Sequence, residues 1–390
     1  ALYCEICGVP LGITRGNLWH DDGTISGRYP PHIMGTFFDV DELNYLFHSL
    51  SEFMQFDIGD IVASGKYHDT REYMGALVEK IKEASGGKLP PEEELYRMML
   101  TPTRIWGLAE VGFESIEPGR MVVSVKDPYS IPLLRGDVAG VADVVTGREN
   151  EAVWEGDERE GKMFVATAEG PSKLSRLADE GGHYGMRHEV GELECERCAS
   201  CGAPKEVSGL FKWDGESCRI EERFSGRRYC FNNTQGITAV LETLAEELEE
   251  NIEQRMIAMS REYSRALYED VAGKPESNGG RGSIDPELQL GSFACRGWGR
   301  VMEMSMQDDE WVVAVENPHN NIMLSGRIWG LAEASSGLDL SVSDRTADGK
   351  TLRLQLEPPN ELRLIGERRQ DDPQDHLPLD RRLVGPVGDT

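Results

Sequence analysis

Apolar residues along this chain fall into a few repeating rhythms. After Asp39, which can cap a helix, Val40, Leu43, Leu46, Phe47, Leu50, Phe53 and Met54 recur at three- and four-residue spacing, the stripe of an amphipathic helix. Ile237, Val240, Leu241, Leu244, Leu248 and Ile252 repeat that stripe, and Met256, Met259, Tyr263 and Leu267 carry it further. Alternation in Met121 to Val125 and Trp311 to Val315 predicts strands. Each strand runs into an Asp-Pro or Asn-Pro break. A glycine-spaced segment follows, Leu133 to Val145 or Ile322 to Ala334, which reads as a small-residue helix open to close backbone approach. Closing strands are predicted over Lys162 to Thr167 and Thr351 to Leu356. Ahead of each set stand a Cys-x-x-Cys-Gly turn and a Trp near an Asp-Gly pair, the signature of a short hairpin.

The elements occur twice in the same order. Cys4-Glu-Ile-Cys7-Gly8 returns as Cys198-Ala-Ser-Cys201-Gly202, and Trp19 as Trp213, both at an offset of 194. Ser26-Gly27-Arg28 matches Ser225-Gly226-Arg227. Arg104-Ile-Trp106-Gly107 is matched to Arg296-Gly-Trp298-Gly299 at 192. Asp127-Pro128 matches Asn317-Pro318 at 190, as do Gly136, Gly140 and Gly147 with Gly326, Gly330 and Gly337. Small insertions and deletions produce such an ordered drift, and a period this long is that of a domain rather than a solenoid. The predicted fold class is α+β: two homologous repeats, each an antiparallel sheet packed with helices plus a Cys-x-x-Cys-Gly knuckle. Unit one spans 1–168, a linker 169–194, unit two 195–357 and an extended tail 358–390. Gly273 to Gly282 reads as a flexible internal loop. One coincidence crosses this register: the heptapeptide RIWGLAE stands at both 104–110 and 327–333.

Composition narrows the function classes. The net charge of -28, from 69 acidic and 41 basic residues, repels phosphate backbones, and no basic patch offsets it, so nucleic acid is not an expected partner. No apolar run is long enough for a membrane helix and no signal peptide is visible, so a cytoplasmic protein is expected. Ala1 fits removal of an initiator Met.

The cysteines carry the clearest chemistry. In Cys-x-x-Cys-Gly two thiolates face one ion while the glycine permits the tight turn. Cys4, Cys7, Cys198 and Cys201 together make a four-thiolate set for one structural Zn2+ between the units. The alternative is one site per unit, completed by His20 or His32 in the first and by Cys218 or Cys230 in the second. Iron–sulfur or redox use of the pairs, and unliganded thiols, are further readings. Cys195 and Cys295 have no counterpart and read as plain thiols.

The second half of each unit resembles the vinyl-4-reductase domain, a predicted hydrocarbon-binding domain. The residues that carry this are Arg296-Gly-Trp298-Gly299, Trp311 to Asn317-Pro318, Leu324 to Glu333 and Gly349 to Leu354, with Arg104 to Gly107, Val122 to Pro128, Leu134 to Val141 and Gly161 to Val165 in the first unit. The resemblance covers 104–168 and 296–357. It implies an antiparallel sheet against helices and an apolar pocket for a small hydrophobic ligand. Aromatic-sensing members bind zinc through cysteines in their closing strands, which are absent here, so their sensing role is not implied. Trp106, Trp298 and Trp329 are candidate pocket residues, although core packing explains Trp106 and Trp298 equally well.

No phosphate loop, nucleotide-binding glycine fingerprint or nucleophile elbow is present. His183 and His188 lie in the linker and read as solvated. Asp21-Asp22 sits in a turn that favours Asp for backbone reasons. The expectation is a non-catalytic binding protein for a small hydrophobic or aromatic molecule. The alternative is a structural or accessory subunit of a larger metabolic enzyme complex, reached through the 358–390 tail. A redox subunit using the cysteines is a third possibility.

Overall fold

Asp39 does begin a helix: its carboxylate accepts from the backbone N–H groups of Asp41 and Glu42, two of the donors that a first turn leaves unpaired. The computed structural model describes residues 2–29, 33–177, 191–247, 251–273, 284–307 and 309–359. In chain order the first half runs α1 (Leu11–Gly16), β1 (Asn17–Trp19), β2 (Ile25–Gly27), β3 (Gly35–Asp39), α2 (Val40–Met54), α3 (Gly59–Ala84) and α4 (Glu92–Leu100). A 3-10 turn (Thr101–Arg104) leads to β4 (Glu110–Glu117), β5 (Arg120–Lys126), α5 (Ile131–Thr146), β6 (Asn150–Gly156), β7 (Glu160–Thr167) and α6 (Lys173–Leu177). The second half runs α7 (Lys205–Leu210), β8 (Phe211–Asp214), β9 (Arg219–Glu222), β10 (Arg228–Asn233), α8 (Thr234–Glu247), α9 (Ile252–Gly273), α10 (Pro286–Gly291) and α11 (Phe293–Arg296). It closes with β11 (Arg300–Gln307), β12 (Glu310–Glu316), α12 (Asn321–Ser336), β13 (Ser341–Ala347) and β14 (Thr351–Glu357).

The architecture is mixed α+β with small antiparallel sheets. Two four-stranded sheets share one plan, β4-β5-β7-β6 and β11-β12-β14-β13, each with a bulge in its first strand. The turns after β5 and β12 place Asp127 and Asn317 in left-handed backbone (φ 48° and 49°), which these short polar side chains tolerate. Gly136 and Gly326 set the helix crossings. A Cβ on Gly136 would lie 2.3 Å from the Ala63 carbonyl oxygen, and one on Gly326 would lie 2.6 Å from that of Ile257. Those spaces belong to the backbones of α3 and α9.

The halves interleave. β3 pairs antiparallel with β10 of the second half, Phe37 opposite Phe231, in a sheet ordered β3-β10-β9-β8. Across this seam the contacts are reciprocal: α3 packs on α8 and α2 on α9. Val240, Leu241 and Leu244 of α8 join the core of the first half, while Trp19, Ile25 and Phe37 join the core of the second.

Three sequence expectations change. The apolar stripe from Ile237 to Leu267 is divided between α8 and α9, because α8 packs on α3 and α9 on α12. Both ends of the linker are docked: Leu174 in α6 is fully buried, and the Leu193 N–H donates to the Trp19 carbonyl oxygen at 2.9 Å. The 192 offset at the Trp-Gly segments gives way to 190. Leu108 N–H donates to Thr103 O at 2.9 Å, as Trp298 N–H does to Phe293 O at 2.9 Å. Gly107 and Gly297, both with positive φ, each press on a carbonyl of the other half's strand, Tyr229 O and Gly35 O. Structurally, then, Trp106 corresponds to Arg296 and Leu108 to Trp298. The internal loop from Lys274 to Gly282, the tail from Asn360, His32, His183 and His188 lie outside the described residues.

Candidate functional site

Each Cys-x-x-Cys-Gly segment folds as a tight turn. Gly8 (φ 74°) donates its N–H to the Cys4 carbonyl oxygen at 2.9 Å, and Gly202 (φ 76°) donates to that of Cys198 at 2.9 Å. Glycine enters this left-handed region at no steric cost. The interleaving brings the two turns together. Cys4 and Cys198 Sγ are 3.7 Å apart, Cys7 and Cys201 Sγ are 3.4 Å apart, and all four sulfurs lie within 4.8 Å of one another. Disulfide sulfurs would be about 2.05 Å apart. A metal with bonds of about 2.3 Å at the centre of a tetrahedron sets its sulfurs roughly 3.8 Å apart. The cluster has that size, so the four thiols form a possible metal site.

The turn backbone differentiates the thiols. N–H groups of Cys7 and Ile6 hold the Cys4 thiol down to about 6, and those of Cys201 and Ser200 lower Cys198. Partial burial pushes Cys7 and Cys201 up. A bound cation would deprotonate all four, as metal binding to cysteine requires.

The alternate ligands stand elsewhere. His20 Nε2 is 2.7 Å from Ser26 Oγ, Cys218 accepts from Arg104 Nε at 3.1 Å, and Cys230 is a core residue whose thiol burial pushes up to about 12.

The three tryptophans have separate fates. Trp298 is buried, donates Nε1–H to the Phe37 carbonyl oxygen at 2.7 Å and stacks on His319 at 5.5 Å. Trp329 is half-buried, with its Nε1–H on Leu340 O at 3.1 Å and Arg261 over its ring at 4.5 Å. Trp106 lines a cavity of about 110 Å³ between the halves, with Tyr73, Phe231, Asn17, Asn232 and Asn233 on other walls. A smaller cavity of about 20 Å³ shares Trp106, Tyr73, Asn232 and Asn233 and is also lined by Lys66, Asp137 and Thr70.

Those last three residues belong to a buried polar network which sequence reasoning missed. Lys66 Nζ donates to Asp69 Oδ2 at 2.6 Å and Asn232 Oδ1 at 3.0 Å, with Asp137 Oδ1 at 3.6 Å. Asp137 also accepts from Thr70 at 2.8 Å and Tyr129 at 2.8 Å. Burial raises the Asp137 carboxyl despite the neighbouring ammonium, whereas Lys66 is raised by its two carboxylates against the opposing effect of burial. The available signal was Lys66 standing among Val62, Ala63, Gly65 and Tyr67, where a charged residue cannot be explained as a wet helix face.

Among the described residues no helix is long and apolar enough to cross a membrane. In comparisons with known proteins, no family model, no curated protein and no solved structure matches this chain.

Proposed function

We propose that this chain is a duplicated, zinc-braced binding protein, non-catalytic, that holds one small hydrophobic or aromatic molecule. The reading includes the resemblance of 104–168 and 296–357 to the vinyl-4-reductase domain and places the protein in the cytoplasm, where thiols stay reduced. The observation that carries it is the cavity beneath Trp106, which lies on the seam between halves whose thiolates converge on one point. Zinc is the metal of choice because four thiolates at tetrahedral spacing match its structural sites and leave no open position for chemistry. Cys4 and Cys7 from one half and Cys198 and Cys201 from the other would hold the ion, clamping the interleaved ends and fixing the cavity's walls. The space, about 110 Å³, is smaller than the apolar cavity of about 150 Å³ that accommodates one benzene ring, so it limits the ligand to a single ring at most.

Native mass spectrometry of protein purified from its source tests this. The expected result is one copurified molecule of single-ring mass per chain. Stoichiometric protein partners with no small molecule would favour the accessory-subunit alternative instead.

A further inference from the structure

The walls of the larger cavity beside Trp106 have counterparts in the second half, and hydrogen bonds fix the correspondence. Arg28 N–H donates to Gly16 O at 2.7 Å, as Arg223 N–H does to Leu210 O at 2.8 Å. Gly27 N–H donates to Ile33 O at 2.8 Å, as Glu222 N–H does to Arg227 O at 2.9 Å. Asn17 is the cross-strand partner of Gly27, and Phe211 that of Glu222. With Phe37 opposite Phe231, Gly35 (opposite Asn233) takes the place that Tyr229 (opposite Asp39) holds in the other half. Gly16, Asn17, Gly27 and Gly35 therefore correspond to Leu210, Phe211, Glu222 and Tyr229, as Trp106 does to Arg296.

In the second half these residues occupy the place with their own side chains. Phe211 and Tyr229 are buried with ring centres 5.2 Å apart. The Arg296 guanidinium lies over both rings, at 5.3 and 5.5 Å, and pairs with Glu222. In the first half Gly16, Asn17, Gly27, Gly35 and Trp106 line the open space of about 110 Å³. Two rings and an ion pair stand where the first half has glycine backbone, a carboxamide and an indole.

The exchange takes charge out of the wall and leaves amides in it. Among the described residues that line this cavity none is charged. In the adjoining smaller cavity Lys66 and Asp137 already hold each other and Asn232, Thr70 and Tyr129. A charged ligand would meet no unengaged countercharge on these walls, and an unpaired buried ion costs several kcal/mol. Asn17 donates one Nδ2–H to Ile13 O at 2.9 Å, which leaves its Oδ1 open. The Asn233 backbone N–H donates to Asn232 Oδ1, whereas its side-chain carboxamide has no hydrogen-bond partner among the described residues.

We infer that the cavity binds one uncharged planar ring carrying a hydrogen-bond donor and an acceptor on adjacent atoms, the edge of a cyclic lactam. That edge pairs with the Asn233 carboxamide, and the ring lies against Trp106, Tyr73 and Phe231. A carboxamide presents a donor and an acceptor side by side, which is how asparagine pairs in two hydrogen bonds with a base edge of matching pattern. The aromatic walls supply ring contacts in place of those that Phe211 and Tyr229 make with each other. The inference rests on the small-molecule reading above and adds the ligand's polarity and the residue that reads it.

Isothermal titration of the full-length chain with 2-pyridone, N-methyl-2-pyridone, benzene, benzoate and benzylammonium tests it. 2-Pyridone is expected to bind at one equivalent, at least tenfold tighter than N-methyl-2-pyridone, which keeps the ring and the acceptor but lacks the donor. It should also bind at least tenfold tighter than either ion. In Asn233→Leu the two pyridones should bind alike. Gly16→Leu brings the second half's residue to a place where an added Cβ meets nothing within 4 Å. That chain should fold and bind 2-pyridone at least tenfold more weakly, and it serves if Asn233→Leu does not fold. N-methyl-2-pyridone or either ion binding as tightly as 2-pyridone overturns the inference. So does a preference that survives in Asn233→Leu, or unchanged binding in Gly16→Leu. Benzene bound at one equivalent while 2-pyridone fails also overturns it and leaves the small-molecule reading standing. Failure of every probe overturns both.

Discussion

At the crossing of α3 and α5, a lysine on the first helix faces an aspartate on the second. At the crossing of α9 and α12, a serine on the first faces an arginine on the second, and the countercharge comes from Glu42 of the other half. The glycines that let the helices touch are the same, so backbone packing did not dictate which side chain is charged. What each crossing requires is that its buried charge be paired, since an unpaired ion there costs several kcal/mol. The sign and the source of the charge were free to change. In the second half the pairing is combined with large aromatic residues, Trp298 and Phe293. In the first it is combined with Leu108, Thr103 and Val141, and room remains.

The largest expected effect separates these crossings by deleting each cation. Arg327→Met strands Glu42, fully buried beside Asp39, and is expected to cost about 3–5 kcal/mol. Lys66→Met removes the ammonium beside Asp69 and Asp137, but Asp137 keeps its hydrogen bonds from Thr70 and Tyr129 and borders the cavity, so its cost should be lower by roughly 1 kcal/mol or more. Urea unfolding of both variants measures the difference. Equal losses, or a larger one for Lys66→Met, would show that the first crossing is as closed as the second.

A smaller effect lies in the acid limb. Where the first half has Tyr129 the second has His319, buried against Trp298. Burial, aided by Arg327, holds its imidazole down from 6.5 to about 3. Between those values the unfolded chain binds a proton that the folded chain does not, so stability present above pH 6.5 is lost as pH falls toward 3. The expected slope is up to about 1.4 kcal/mol per pH unit. His319→Phe should show a shallower decline than the parent over that window, measured by unfolding at several pH values. Parallel curves would mean that His319 is protonated in the folded chain.

Much of this was legible along the chain because the signals are local. The cap at Asp39, the stripe to Leu50, the alternation of β5 and β12 and the glycine-spaced helices depend on neighbours within one turn or one strand. The cysteine pairs were legible for the same reason, since each turn is complete in itself. That the turns meet depends on β3 crossing to β10, which no local spacing encodes. The heptapeptide RIWGLAE makes the limit concrete. At 327–333 it lies inside α12, whereas at 104–110 it leaves a 3-10 turn, bends at Gly107 with φ of 73° and enters β4. Identical residues take two conformations because Gly107 is pressed under Ile220 and the Tyr229 carbonyl of the other half. The Trp-Gly segments misled for a related reason. Chemical similarity aligned Trp106 with Trp298, while the hydrogen bonds align Trp106 with Arg296. The Lys66 network was hidden because its partners come from α3, α5 and β10, far apart in sequence.

The most direct test concerns the point where the two halves join. Elemental analysis of the purified chain should find one zinc per molecule, lost in Cys4→Ser and equally in Cys198→Ser. Either loss should be accompanied by a fall in folding free energy of up to about 10 kcal/mol, the order by which zinc stabilises small thiolate sites. Two metal ions per chain, or full zinc retained after either substitution, would contradict a single centre shared by the interleaved halves.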